Sequence, residues 1–508
     1  MKVVAMYLPQ FHEVEENNQW WGKGFTEWHA VRQAEKFFDT HEQPKCPLNE
    51  NYYDLTEKST MEWQADIMKK YGIDGACFYH YWFKDGRKIL EKPAENLLQW
   101  SDIDLPFCFS WANESWVRTW AKLSGSNAWA SKFEPVGTDN ESSVLLQQYY
   151  GGEEQWRQHF DYLLPFFRDK RYIKRDNAPV FMIYKPGDVL CLKEMREKWN
   201  EWAREEGFSG IYLIGARCQQ NEYEHVDADY YHEPLNTMTR MRGPISGEDK
   251  PLKLDYDDVW RALLACDTKN SKTYFGAFTG YDDTPRHGIN GAVVYGATAE
   301  KFKNYFAELL AKGVANGNDI TFVNAWNEWG EGMYLEPDEK EGHAYLEAIL
   351  YAKEHYKEYL SKYKLKRELP IKGFWNRYDM LFENQKLVNR AKIFDKWLCL
   401  KEQEVSFEKY FAEQQISTIA IYGMGRLGRH LYQELESSNV EIKYVIDKRT
   451  NIKNVDLDIY SMEDATISVD AVVVALDYEY HNVVALLRAR GFEKIILIEE
   501  IVNALYKR

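Results

Sequence analysis

The sequence predicts an α/β chain, a (β/α)8 TIM barrel followed by a small Rossmann-like parallel αβ domain. Three observations carry that expectation. Short apolar runs alternate with longer amphipathic stretches over about the first 350 residues, and eight such runs can be counted. Near residue 417 a strand, a glycine turn and a helix open a second αβ unit.

The first run, Val3-Val4-Ala5-Met6-Tyr7-Leu8, is short, apolar and ended by Pro9, as a buried strand would be. The others fall at 75–81, 105–111, 179–184, 210–215, 229–233, 274–279 and 319–326, with helix-like segments between several of them, such as 61–71 and 192–206. An open doubly wound sheet is the alternative, and it would more often place a phosphate-binding glycine turn after the first strand. Here that strand leads into Pro9-Gln10-Phe11-His12. Residues 343–363 pattern as a closing helix, which sets the barrel at 1–363. The stretch 364–415, rich in Lys, Glu and aromatic residues, is expected to be a helical connector packed on the barrel. The last domain, 416–508, begins with the strand Ser417–Tyr422 and the turn Gly423-Met424-Gly425-Arg426-Leu427-Gly428. A helix to about residue 437 and the strand Lys443–Ile446, ending at Asp447, follow; later strands are expected at 471–476 and 494–498.

Composition narrows the partners. Lys and Arg number 64 against 80 Asp and Glu, a net charge of −16, which argues against nucleic acid and acidic membranes as partners. The seven cysteines are scattered without a CxxC pair, so a reduced compartment and no metal site are expected. The apolar start is too short for a signal segment, and no run of about 18 apolar residues occurs, so the expectation is a cytoplasmic protein with no transmembrane segment. The 18 Trp and 35 Tyr permit a glycan site, because flat rings cover the apolar C–H faces of sugars.

The densest chemistry is Asn324-Ala325-Trp326-Asn327-Glu328-Trp329-Gly330-Glu331-Gly332, at the end of the eighth run. Active sites of such barrels lie at the carboxyl ends of the strands. Two carboxylates three residues apart can share one side of a turn and work as an acid–base pair. Such a pair needs separated pKa values, which burial and like charge supply. A helix terminus or a solvated turn would explain the same spacing without catalysis. Other strand ends mix rings with polar groups, as sugar recognition requires: His12 after the first, then Trp21, Glu27 and Trp28 in Trp20-Trp21-Gly22-Lys23-Gly24-Phe25-Thr26-Glu27-Trp28. His80, Tyr81 and Trp82 follow the second, Trp111, Asn113, Glu114 and Trp116 the third, and His232 the sixth. Asn327 and Trp329 flank the acids. Barrel packing explains any one of these equally well.

Together these segments resemble the WbsX family of polysaccharide-biosynthesis proteins, which is similar to glycoside hydrolase family 99. The resemblance spans about residues 1–355 and rests on Tyr7-Leu8-Pro9-Gln10-Phe11-His12, the Trp20–Trp28 segment, Tyr79-His80-Tyr81-Trp82-Phe83, Trp111-Ala112-Asn113-Glu114-Ser115-Trp116 and Trp326–Gly332. It implies a barrel that acts on α-linked sugars with retention, on an oligosaccharide or lipid-linked glycan of bacterial surface polysaccharide such as O-antigen or capsule. Carried over, Glu328 is the base that draws the proton from the sugar's own 2-hydroxyl, and Glu331 the general acid and then base. A nucleotide-sugar-dependent glycosyltransferase and a noncatalytic glycan-binding scaffold are the alternatives. In the C-terminal domain, Gly423, Gly425 and Gly428 follow a strand and open a helix, and Asp447 lies nineteen residues on, the dinucleotide pattern for a nucleotide or nucleotide sugar. A purely structural turn is the competing account.

Overall fold

The first strand, Lys2–Tyr7, is buried at every position from Val3 to Tyr7, so both of its faces are covered. Such strands belong to parallel sheets with cover on each side. In the computed structural model, which describes residues 1–117, 144–146, 148–218, 223–241, 251–266, 272–366, 390–447, 456–462, 464–465, 468–476 and 480–506, this strand lies between the second and the last strands of a barrel. Val4 pairs with Gly75 on one side and with Phe322 on the other. The order continues through Phe107–Trp111, Ala178–Ile183, Tyr212–Ala216 and Ala228–Tyr230, all parallel. Closure falls to one stretch of chain interrupted at Phe275. Thr273–Tyr274 pairs with Ala228–Tyr230, and Gly276–Phe278 pairs with Ile320–Asn324. Each of the eight apolar runs thus supplies barrel strand, the seventh in two pieces.

Helices cover the outside. Leu192–Glu205 buries Leu192, Met195, Trp199, Trp202 and Ala203, the spacing of one helical face. Lys312, on the helix Ala299–Asn316, is buried, and its ammonium donates to the carbonyls of Leu263 (3.2 Å), Leu264 (3.1 Å) and Cys266. It thereby adds a cationic donor to the carbonyls at the end of the helix Tyr256–Ala265. The sequence reading did not name a small sheet in which Ala292–Tyr295 pairs with Leu252–Asp255 and Tyr281–Asp282. Its strands are too short to show a period. Among the described residues no helix is long and apolar enough to cross a membrane.

The chain divides into two units, Met1–Phe374 and Trp375–Arg508. The second holds a parallel sheet with the strands in the order Ile459–Tyr460, Glu441–Ile446, Thr418–Tyr422, Ala471–Val474, Ile495–Leu497. Alternate residues of Thr418–Tyr422 serve opposite faces. Ile419 and Ile421 join Leu427, Leu431 and Ile501, while Ala420 and Tyr422 join Ile446 and Leu487. The expected connector needs correction over its described part. Residues 390–402 are helical, and Ile393, Trp397 and Leu400 enter the same apolar cluster as Ile419 and Ile421. Their helical spacing makes them one covering layer of this sheet, so they belong to the second unit's own core. The rest of that call, 367–389, lies outside the described residues.

Gly276, at the interruption of the seventh barrel stretch, leaves no room for a side chain: a Cβ there would sit 2.1 Å from the Tyr231 carbonyl oxygen. Gly276→Ala should therefore destabilise the protein by about 2–3 kcal/mol, the usual cost of forcing backbone apart. The urea midpoint reads this directly, and an unchanged midpoint would contradict the close approach.

Candidate active site

Beyond the last barrel strand the chain folds into a tight hairpin. Asn327–Glu328 pairs antiparallel with Met333–Tyr334, and one 3-10 turn, Trp329–Glu331, joins them. Gly332 closes the turn at φ +61°, in the left-handed region. Because side chains three apart nearly eclipse on such a turn, Glu328 and Glu331 point the same way. The hairpin is clamped to the first strand by Asn327, whose Oδ1 accepts from the Leu8 N–H at 2.8 Å and whose Nδ2 donates to the Leu8 carbonyl at 3.0 Å. Below it, the buried Glu336 carboxylate accepts from Trp329 Nε1 (2.6 Å), Tyr53 Oη (2.8 Å) and Gln64 Nε2 (2.7 Å). Burial pushes its pKa up to about 7 against those donors.

Both acids meet a residue that sequence reasoning missed. Arg286, on the short helix Thr284–His287, donates through Nη2 to Glu328 Oε2 at 2.9 Å and through Nη1 to Glu331 Oε1. Its Nε donates to Glu27 Oε1 at 2.8 Å. The Glu27 and Glu328 side chains are only 5% and 8% exposed, whereas Glu331 and Arg286 are each 22% exposed, so the cluster opens to solvent on the Glu331 side. Burial raises the Glu328 pKa to about 8; Arg286 opposes that shift, and Glu331 and Glu27 add to it. Glu331 is raised too, chiefly by burial. One guanidinium faces three carboxylates, and both acids of the hairpin are shifted toward the protonated form.

The structure sorts the other expected residues into three groups. With the pair stand Glu27, through Arg286, and Tyr81, whose hydroxyl burial and the Glu328 charge hold well above the usual range. Trp116 lies edge-on to Tyr81 with ring centroids 5.4 Å apart. His232 accepts or donates with Tyr79 Oη at 3.2 Å, and burial drives its pKa down to about 3, so it is neutral. Tyr79 also feels the charges of Glu328 and Glu331. A second group supports the floor: Trp28 donates to the Tyr53 carbonyl at 2.9 Å and packs 5.6 Å from Trp329, while Trp21 packs on Phe25. His12 is buried beside them in sequence, its pKa lowered by that burial.

The third group lies apart from the pair. His80 Nε2 is 2.8 Å from His159 Nε2, and Trp82 stacks on His159 at 4.6 Å. Burial lowers His80 to about 3 and lowers His159 as well, so two neutral rings share one hydrogen bond. Trp111 donates to the Trp82 carbonyl at 3.1 Å. Asn113 binds both backbone groups of Lys185, each at 2.8 Å, and Glu114 pairs with the Lys185 ammonium. These residues tie loops together. The missed Arg286 had one available signal: two acids at the end of one strand need a countercharge, and the Asp283-Thr284-Pro285-Arg286-His287 loop follows the seventh stretch.

In the C-terminal unit Gly425 precedes the helix Arg426–Leu435, Gly423 has φ +90°, and a Cβ on Gly428 would lie 2.1 Å from the Gly423 carbonyl. Asp447 is mostly buried and its Oδ2 accepts the Met424 N–H at 2.8 Å. Turn conformation and helix packing therefore account for two of the glycines, and Asp447 braces the turn.

The carboxylate pair thus stands at the carboxyl ends of the strands of a parallel barrel, the end at which such barrels carry their sites. The family model described as "Glycosyltransferase WbsX" matches residues 3–349, a span that contains Glu27, Arg286, Glu328 and Glu331, and the chain belongs to that family. Two strains of Xanthomonas campestris pv. campestris carry an "Uncharacterized protein WxcX" that is 31% identical over 362 residues, 68% of this chain and 48% of the relative. The chain thus spans about half the length of the curated relatives it matches. Among solved structures, the GH99 endo-alpha-mannosidase from Bacteroides thetaiotaomicron in complex with bis-tris-propane is similar at 13% identity with a TM-score of 0.43, covering 71% of this chain and 98% of that one. A "Glycoside hydrolase-like protein" is similar at 12% identity and a TM-score of 0.44, covering 70% and 93%.

Two measurements follow from this geometry. A carboxyl whose folded pKa exceeds its unfolded value binds its proton more tightly when folded. Its stabilisation is thus present below the unfolded value, 4.5, and is lost as pH rises through about 8. Glu328→Gln should flatten the fall in urea midpoint between pH 5 and pH 8.5, and parallel profiles for the two proteins would refute the raised value. Separately, a Cβ on Gly330 would lie 1.9 Å from Glu27 Oε1 and 3.0 Å from Arg286 Nε. Gly330→Ala should displace both and cost about 2–3 kcal/mol; chemical denaturation of the variant provides the check.

Proposed function

We propose that the protein is a retaining glycosidase or transglycosylase acting on α-linked sugars of a bacterial surface polysaccharide or its lipid-linked precursor. The observation that carries this is the pair Glu328 and Glu331 at the barrel mouth, held on one guanidinium and both shifted toward the protonated form. Such a pair supplies one acid and one base together. In the proposed reaction Glu331 gives its proton to the glycosidic oxygen as the C1–O bond breaks. Glu328 takes the proton of the 2-hydroxyl, whose oxygen attacks C1 and forms a 1,2-anhydro sugar. Water or an acceptor hydroxyl then loses its proton to Glu331 and attacks C1, and O2 recovers its proton from Glu328. The starting state requires Glu331 protonated and Glu328 ionised. Tyr81, beside Glu328, and Trp116, edge-on to it, are the rings placed to meet the sugar.

A second reading has its own support in the family's description as a glycosyltransferase. In it the chain would be a nucleotide-sugar-dependent transferase, with the C-terminal unit holding the nucleotide at the Gly423–Gly428 turn. The decisive assay is product analysis on a panel of α-linked oligosaccharides, with and without nucleotide sugars. Donor-independent cleavage by the wild type, lowered at least ~100-fold in both Glu328→Gln and Glu331→Gln, is the expected outcome, the size being that of removing a general acid or base. Glu331→Gln should keep more of its rate on glycosyl fluorides, whose leaving group needs no acid, than Glu328→Gln does. Product formed only with a nucleotide sugar, together with a nucleotide-dependent rise in melting temperature, would replace this reading with transfer.

A further inference from the structure

Three separate loops converge on Arg286. Glu27 comes from the segment after the first strand, Glu328 and Glu331 from the hairpin after the last, and Arg286 from the turn after the seventh stretch. The turn that carries Arg286 is itself pinned. Asp282 is buried; its Oδ1 accepts from the Thr284 N–H at 3.1 Å and its Oδ2 takes His41 Nε2 at 2.8 Å and Gln43 Nε2 at 2.6 Å. On its far edge the guanidinium is held by Glu27, whose Oε1 occupies the space that the absent Gly330 side chain leaves. Beyond that anchor Nη1 reaches Glu331 and Nη2 reaches Glu328, with Nη2 also 2.8 Å from Glu27 Oε1.

We propose that Arg286 is the positioning residue of this site: anchored by Glu27, it fixes the separation of Glu328 and Glu331 and supplies the one positive charge that lets one of them stay ionised while the other keeps its proton. The proposal rests on the acid-pair reading above. An ion cluster serving stability alone would gain little from burial, since desolvation cancels most of the attraction. Nor would it leave its most reactive member facing solvent, as Glu331 is. Without the guanidinium the site holds three carboxylates. Asp283 adds to the negative field at Glu331, the Glu328 charge is felt at Tyr79 and Tyr81, and His287 opposes the rise at Glu331. Both acids would then be driven to the protonated form and neither could act as base. Lysine in place of Arg286 keeps the charge but not the fork that spaces the two carboxylates.

The test uses the full chain with Arg286→Gln, Arg286→Lys and the double variant Arg286→Gln/Glu328→Gln. Urea midpoints are taken at pH 5 and pH 8.5, which needs no substrate. Arg286→Gln should lose far more of its midpoint at pH 8.5 than at pH 5, because carboxyls raised further lose their stabilisation as pH climbs. The double variant should recover most of that loss, and Arg286→Lys should show little of it. An equal fall at both pH values with no recovery in the double variant overturns the proposal. On any substrate cleaved by the wild type, Arg286→Lys should lower kcat at least tenfold with KM within twofold and leave the acidic limb of the pH profile near its place, whereas Arg286→Gln should move that limb upward. An unchanged kcat in Arg286→Lys, or an unmoved limb in Arg286→Gln, also overturns it. A wild type that passes the midpoint comparison and turns over no α-linked glycan leaves the positioning role standing and removes the glycosidase reading.

Discussion

One charge shortage organises the mouth of the barrel. Glu27, Glu328 and Glu331 share a single guanidinium, and all of them are largely withdrawn from water. Three ionised carboxylates on one cation would leave two uncompensated charges in a medium of low dielectric, where repulsion at such distances is far stronger than in water. Burial and this shortage together raise the pKa of both members of the pair. A surface pair in water would have no such shortage. The same constraint explains Gly330: only a residue without a side chain lets the Glu27 carboxylate approach the hairpin closely enough to reach Arg286.

Holding charged groups this close requires a stiff support, and the hairpin has one from two directions. Asn327 takes both backbone groups of Leu8, which fastens the hairpin to the strand that closes the barrel. Glu336 gathers donors from Trp329, Tyr53 and Gln64, and Gln64 in turn accepts from Tyr7 Oη at 2.6 Å. The first strand, the helix Lys58–Lys70 and the acid-bearing hairpin are thereby linked through one buried polar network. A network whose members are satisfied by one another specifies a single geometry, because any displaced member leaves a buried polar group unpaired.

The barrel was legible because its strands are buried on both faces, so each announces itself as a short apolar run bounded by polar chain. Periodicity carries no information about strands of two to four residues, and the small sheet at Ala292–Tyr295 went unread for that reason. The helix at 390–402 was visible as a helix, yet the sequence did not show which surface its apolar face covers. At the site, the acid pair was legible from spacing and from its place at a strand end. Its partner was not, because Arg286 is remote in the chain from both acids and only the closed ring brings the seventh and eighth loops together. Tyr81 and Trp82 are neighbours in sequence, yet alternation along the extended chain gives them different partners: Tyr81 lies edge-on to Trp116 and Trp82 stacks on His159.

The same reasoning separates what a residue pattern permits from what it requires at the second glycine-rich turn. Gly423 needs a positive φ, and Gly428 must let the helix approach the Gly423 carbonyl, so both are demanded by the turn itself. Asp447, expected to meet a ribose, already accepts the Met424 N–H. Gly425 differs from these two: its φ is negative and, among the described residues, no atom lies within 4 Å of where a Cβ would stand. Packing therefore gives no reason for glycine at that position, the one where the helix amide ends face outward. If the turn has work beyond its own geometry, Gly425 is the residue that carries the information.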